Sequence, residues 1–327
     1  MKNFTAQRFQ SILWQGLLLA TLIVPVAAQA ETWNLAVGAQ SSDKARQALA
    51  FLPNEVWIHA GDTITWTVNA DEIHTITFLT AAQVRLPFSL GCPGFSFGVA
   101  SFDGSTCVST PPMVKGQTFS VIFPAAGNYK LVCLVHADMT GAVHVLDPSV
   151  PLPYGQTFYD EQAARQAQNL LSSALADIGH VHPSSPNSVA VGTGETVSIG
   201  GGHQTVSVLR FMNHATSIHV GDTVEWTSDD PSTPHTITFG TEPANPIPPA
   251  CACTVDPDGA LHATISSPSD SVHSGFIVAA SQDRIGLPQV PLGKTRFRIT
   301  FTAAGTFPYI CALHDGLGMT GTITVVP

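Results

Sequence analysis

Two stretches of the chain gather sulfur and imidazole at close spacing. In LVCLVHADMTG, residues 131–141, Cys133 is followed by His136 and Met139; in YICALHDGLGMTG, residues 309–321, Cys311 is followed by His314 and Met319. A thiolate, a thioether and an imidazole are soft to borderline ligands, and together they suit copper, above all its reduced ion. Each stretch has a second imidazole to draw on. His74 and His235 both follow a polar loop and open the same five residues, HTITF. Two imidazoles and a thiolate with a weak axial thioether form the arrangement of copper sites that exchange electrons. A lone Cys or Met in an apolar run is core more often than ligand. Here all four residues recur in both halves, across insertions, and that recurrence points to ligation. The expected metal ligands are His74, Cys133, His136 and Met139 in the first half, and His235, Cys311, His314 and Met319 in the second. The His-to-Met spacing differs, with two intervening residues in the first stretch and four in the second.

Positioning these residues falls to an internal repeat. EVWIHAGDTITWTVNADEIHTITF (55–78) matches TSIHVGDTVEWTSDDPSTPHTITF (216–239), and TFSVIFPAAGNYKLVC (118–133) matches RFRITFTAAGTFPYIC (296–311). Such self-similarity means two copies of one fold. Each copy shows short apolar alternations, such as Ile64-Trp66-Val68 and Phe119-Val121-Phe123, separated by turns at Gly61-Asp62 and Gly127-Asn128. That pattern predicts an all-β architecture of two tandem Greek-key sandwiches, residues 31–148 and 189–327. Between them, residues 149–188 read as a linker. Prolines 148, 151 and 153 end the first copy, and Ala163, Ala167, Leu170, Leu171, Ala174, Leu175 and Ile178 show helical spacing over about 160–178, with Asp160 as start cap and Gly179 as end. The helix is expected to pack on one domain or to bridge both. The second copy carries a Pro-rich insertion around 241–293, expected as a long irregular loop.

The repeated pattern GDTITW…IHTITF…YKLVCLVHADMTG resembles the cupredoxin superfamily of small blue-copper proteins: plastocyanin, pseudoazurin and amicyanin. The likeness covers both halves apart from insertions. The loop Cys311-x2-His314-x4-Met319 is similar to that of plastocyanin and pseudoazurin, and Cys133-x2-His136-x2-Met139 to that of amicyanin. The resemblance implies two type 1 copper ions per chain, electron exchange with redox partner proteins, and no catalysis. Plastocyanin-like proteins usually carry Asn after the early His, bonding to the Cys-bearing loop; here the residues are Thr75 and Thr236, whose hydroxyls can make a similar bond. Multicopper oxidases need paired His-x-His motifs and a His-Cys-His stretch, whereas this chain has one His-x-His, His180-Val181-His182, and apolar neighbours at both Cys133 and Cys311. Copper nitrite reductases place a ligand His directly before the Cys, and that residue is absent too. Copper storage or delivery, and a copper oxidoreductase lacking those motifs, stand as the alternatives.

Asp62 and Asp222 sit in Gly-Asp-Thr turns and read as structural. His59 and His219 also repeat, as surface strand residues or extra ligands.

Composition bounds the setting. The 327 residues open with basic Lys2 and Arg8, an apolar run from Ile12 to Val26, and Ala28-Gln29-Ala30. Residues 1–30 read as an export signal, against an uncleaved anchor, and no other stretch is apolar enough to span a bilayer. Losing Lys2 and Arg8 takes the formal charge from −10 to −12. An acidic chain without a basic stripe is no nucleic-acid binder. The expected location is periplasmic or extracellular. Six cysteines remain in an oxidising compartment. Cys92 and Cys107 close a short loop as a plausible disulfide, while Cys251 and Cys253 stay open between a strained bridge, a cross-domain staple and an extra copper site.

Overall fold

The computed structural model describes residues 29–86, 91–180, 185–279 and 295–327. The expected export signal, apart from its last two residues, lies outside these, as do His182 and the end of the insertion.

Each half is a pair of sheets closed on a core. In the first, Thr32–Gln40 runs parallel to Thr63–Val68 and antiparallel to Arg46–Leu52, with Thr118–Ile122 and Val99–Ser101 beyond. Facing them, Glu55–His59, Thr140–Leu146, Gly127–Val132, Thr77–Phe78 and Val108–Ser109 make the second sheet. Alternation does the packing, because successive side chains of a strand point to opposite faces. In Thr63–Val68, Ile64, Trp66 and Val68 are buried and the threonines between them are half-buried. The second half repeats the plan, with Thr223–Ser228 burying Val224 and Trp226 in the same places.

The insertion was expected as a loop. Its described part instead contributes strand Leu261–Ile265, which runs parallel to Arg296–Phe301 and carries Thr254–Val255 on its outer edge. The residues LHATI alternate well enough to join the sheet, and they fill the place that Val99–Ser101 takes beside Thr118–Ile122 in the first half. The linker helix also departs from expectation. It spans Gln156–His180, so Asp160 lies inside it rather than capping it. Gly155 starts it, its carbonyl accepting the N–H groups of Phe158 and Tyr159, and the Gln156 amide ties the first turn to both backbone groups of Asn34.

The two halves share one sheet. Arg46–Leu52 pairs antiparallel with Gly202–Met212, from Arg46 opposite Val208 to Leu49 opposite Thr205, so eleven strands run unbroken through both domains. The helix lies across that seam. Leu170 and Ala174 are buried against Ala48, Ala50 and Leu52 of one half and Val206 and Val208 of the other, with Ala163 and Ala167 alongside. Small residues on this face let the helix backbone approach the sheet. Beneath it, buried Gln166 donates to Asn54 Oδ1 at 3.1 Å and accepts from Gln204 Nε2 at 3.0 Å, joining helix and both domains through one amide. Tyr159, fully buried, both accepts from the N–H of Trp57 and donates to its carbonyl.

Both remaining cysteine pairs are bridged. Cys92–Cys107 forms as expected and packs with Val132 and Leu134, directly beside Cys133. Cys251 and Cys253 pair with each other, their Cα atoms 5.1 Å apart. Closing the 15-residue separation of the first pair is worth about 3 kcal/mol in the loop-entropy model.

Because the helix seals the domain seam, Leu170→Ala should destabilise the whole chain by about 2–5 kcal/mol in denaturant unfolding. A loss confined to helix signal, with the domain transition unmoved, would mean that the helix is an appendage.

Candidate metal centres

The ends of the strands bring the predicted residues together. His74 is pinned by a β-bridge, donating its N–H to Met113 O at 3.1 Å and accepting from Met113 N–H at 2.7 Å; His235 makes the same bridge with Ile277. Cys133 follows strand Gly127–Val132 and Cys311 follows Gly305–Ile310. In each half the Nδ1 or Nε2 of both histidines and the Sγ of the cysteine lie within 4.8 Å of one another, all three residues buried. His136 Nδ1 is 3.7 Å from Cys133 Sγ, and His314 Nδ1 is 3.3 Å from Cys311 Sγ. The ring centroids of the two histidines are 5.0 Å apart in each group.

The unequal loops end alike. Cys133 donates its N–H to Met139 O at 3.0 Å and Cys311 to Met319 O at 3.1 Å, so each methionine returns to the same place relative to its cysteine. The two extra residues of the second loop are taken up by a 3-10 turn, Asp315–Leu317, closed by Gly318 at φ +89°. Both methionines are fully buried in the core cluster that holds their cysteine.

The supporting bonds repeat as well. The N–H groups of Thr75 and Thr236 donate to Cys133 Sγ at 3.4 Å and Cys311 Sγ at 3.3 Å. Their hydroxyls accept the N–H of Leu134 and of Ala312 at 2.7 Å, the loop bond expected of a threonine here. An arginine clasps each loop. Arg85 donates to Cys133 O at 3.0 Å and reaches the carbonyls of His136 and Ala137; Arg210 donates to Leu317 O and Asp43 O, both at 2.9 Å.

Several residues of the site escaped the sequence reading. Gly38 and Gly192 sit at β-bulges with φ of +71° and +68°, and a Cβ on either would collide with the Nε2 of His74 or His235. The signal was present, since Val37-Gly38 and Val191-Gly192 are themselves a repeat. Asp230 Oδ2 lies 3.1 Å from His235 Nε2, both fully buried, while its counterpart in the first half is Ala70. Glu72 touches both centres. Asp62 and Asp222 are structural: Asp62 accepts from Glu31 N, the Trp33 indole and His59 N, and Asp222 from His219 N. His59 bonds Val150 O and His219 is exposed; neither joins a ligand group.

The electrostatics favour a thiolate. Burial alone would push both thiols up, but the imidazoles of His136 and His74 hold Cys133, and those of His314 and His235 hold Cys311, well below the ordinary value. Against its own burial, His136 is pushed up to about 9 by Cys133 and Glu72. His314 is raised well above its usual value by Cys311 and Glu72, and His235 is raised by Asp230 and Cys311. Glu72 stays well below the carboxylate range despite burial, because the two imidazolium rings face it. His74 is the exception: burial outweighs the pull of Cys133 and lowers it, and neither ring nitrogen is within hydrogen-bond geometry of a partner among the described residues. Such an orphaned ring is costly unless a metal takes it up. Two inward imidazoles, a thiolate and a buried thioether fit copper in both type and softness.

Removing the Thr75 hydroxyl with Thr75→Val leaves the Leu134 N–H buried and unpaired, and should lower stability by about 1–3 kcal/mol in thermal or denaturant unfolding. No loss would mean that the loop finds another partner for that N–H.

The sequence profile of the family described as copper binding proteins, plastocyanin/azurin family, matches residues 38–146 and 195–326. Plastocyanin of Vicia faba is 33% identical over 99 residues, which is 30% of this chain and 88% of that protein. Chloroplastic plastocyanin of Chlamydomonas reinhardtii is 30% identical over 142 residues, 43% of this chain and 83% of that one. Among solved structures, amicyanin from Paracoccus versutus aligns with 21% identity and a TM-score of 0.24 over 37% of this chain and 86% of its own. Plastocyanin from Dryopteris crassirhizoma aligns with 20% identity and a TM-score of 0.22 over 42% of this chain and 99% of its own. With both halves matched and a His–Cys–His group at the same strand ends of each, the chain belongs to the plastocyanin/azurin family of copper-binding proteins as two cupredoxin domains in tandem.

Proposed function

We propose that this chain is an exported electron-transfer protein that holds two type 1 copper ions, one per domain. The observation that carries this reading is the pair of fully buried His–Cys–His groups, each with a buried methionine returned to its cysteine. His74, Cys133, His136 and Met139 would hold the first ion, and His235, Cys311, His314 and Met319 the second. Copper supplies a one-electron couple; the protein does the rest. The β-bridges at His74 and His235, the Thr hydroxyl bonds and the arginine clasps fix the ligands before any metal arrives, and rigid ligands limit reorganisation on electron exchange.

The reading is non-catalytic. All four ligand positions come from the protein, and burial of His136 and His314 (0% and 3% exposed) leaves no open position for a substrate. Two disulfides support an oxidising compartment outside the cytoplasm. The electron donor and acceptor are redox proteins, which must meet surface residues and not the imidazoles themselves.

The two centres should differ in potential. Asp230 beside His235 makes that imidazole a stronger donor and places negative charge near the second centre, which favours the oxidised ion. His74 has no such partner. The second centre is therefore expected to have the lower midpoint, and Asp230→Asn to raise it without moving the first. Equal midpoints, or a shift of both, would count against this assignment.

Copper loading of the chain should give two ions per chain and a strong visible thiolate-to-copper band. Cys133→Ala and Cys311→Ala should each remove one ion and part of the band. Copper bound without the band would favour storage or delivery, and no copper at all would end the reading.

A further inference from the structure

One carboxylate lies between the two ligand groups. Glu72 stands two residues before His74, is 6% exposed, and faces both loops. Its Oε1 is 3.3 Å from Nε2 of His136, and its Oε2 is 3.3 Å from Nε2 of His314. A side chain of the first domain thus meets the loop imidazole of each domain. The Nδ1 atoms of the same rings face their cysteines, so the outward nitrogens are the ones left to carry hydrogen, and a carboxylate accepts from both. The second domain has no matching acid: where NADEIH leads to His74, DDPSTPH leads to His235, with Ser232 and Thr233 near the position of Glu72. A second buried carboxylate at that point would repel the first. One acid serving two sites is what the near-symmetric seam allows.

We propose that Glu72 is a positioning residue held in common by both metal centres, orienting His136 with one oxygen and His314 with the other, so that loading one centre is felt at the other. The proposal rests on the two-centre reading above. Ring, carboxylate and ring also make a continuous polar route between the centres.

The test uses the full chain and cobalt(II), whose visible absorption at a thiolate site reports loading without redox chemistry. Cys133→Ser leaves only the second centre competent, and Cys311→Ser only the first. With Glu72 intact, the cobalt affinity of a centre in the two-centre chain should differ from its affinity in the one-centre chain by about fivefold or more, the low end of ordinary site–site coupling. Glu72→Gln turns N–H groups toward one of the two imidazoles and Glu72→Ala removes both contacts; either should bring the two affinities within about twofold. Equal affinities with Glu72 intact overturn the proposal, and so does coupling that survives both variants. If a Glu72 variant does not fold, loading the first centre of the Cys311→Ser chain must shift the His314 ring-nitrogen resonances, and no shift overturns the proposal. Cobalt bound at neither centre would instead sink the two-centre reading. Copper bound without the thiolate band would sink only its electron-transfer part, leaving the coupling result intact.

Discussion

The antiparallel pairing of Arg46–Leu52 with Gly202–Met212 is the constraint on which the rest of the molecule depends. Both strands would be sheet edges if their domains stood alone, and an unpaired edge exposes a row of N–H and C=O groups. Joined, they fix the relative placement of the domains to the precision of a hydrogen-bond ladder. That placement turns both ligand loops toward the seam. Thr140 and Asp138, at the end of the first loop, bond to His203 and Thr205 across it, and Arg210 reaches from the second domain to Asp43 of the first. The outer edges of this joined sheet are short, Val99–Ser101 and Thr254–Val255.

Burying so much charge is the second theme. Two thiols disposed to ionise, Glu72 and Asp230 all lie in the protein interior. An isolated buried charge is prohibitive, while a paired and hydrogen-bonded one is tolerable. Each finds an imidazole, and the loop carbonyls find Arg85 and Arg210. The polar network is therefore distributed around the centres and is not left for a metal alone to satisfy. His74 is the member it leaves out.

The sequence made the clustered His, Cys and Met residues and the tandem fold legible because both are periodic or repeated. Alternation announced the strands, and the repeat set Cys133 and Cys311 apart from the four cysteines that pair as disulfides. What stayed hidden depends on three-dimensional closure. Glu72 has no counterpart in the second copy, so the repeat could not single it out, and its meaning arises only where two domains meet. Asp230 fails the same test from the other side. Gly38 and Gly192 repeat, but nothing in their local sequence ties them to a ligand, and only the bulge places them against a histidine ring. Asp160 is a good cap by type, but the first turn is set by Gly155 and the Gln156 amide. The insertion looked irregular because its prolines outweigh a five-residue alternation in any local reading.

The closing bond of each ligand loop, cysteine N–H to methionine carbonyl, behaves as a socket of fixed width. What is plugged into it can be short, as in 133–139, or lengthened by a 3-10 turn, as in 311–319, with the same closing bond. Loop length is thus decoupled from ligand placement. Within one molecule the same closing bond spans two different intervals between histidine and methionine, so the loop surface varies while the closure stays constant.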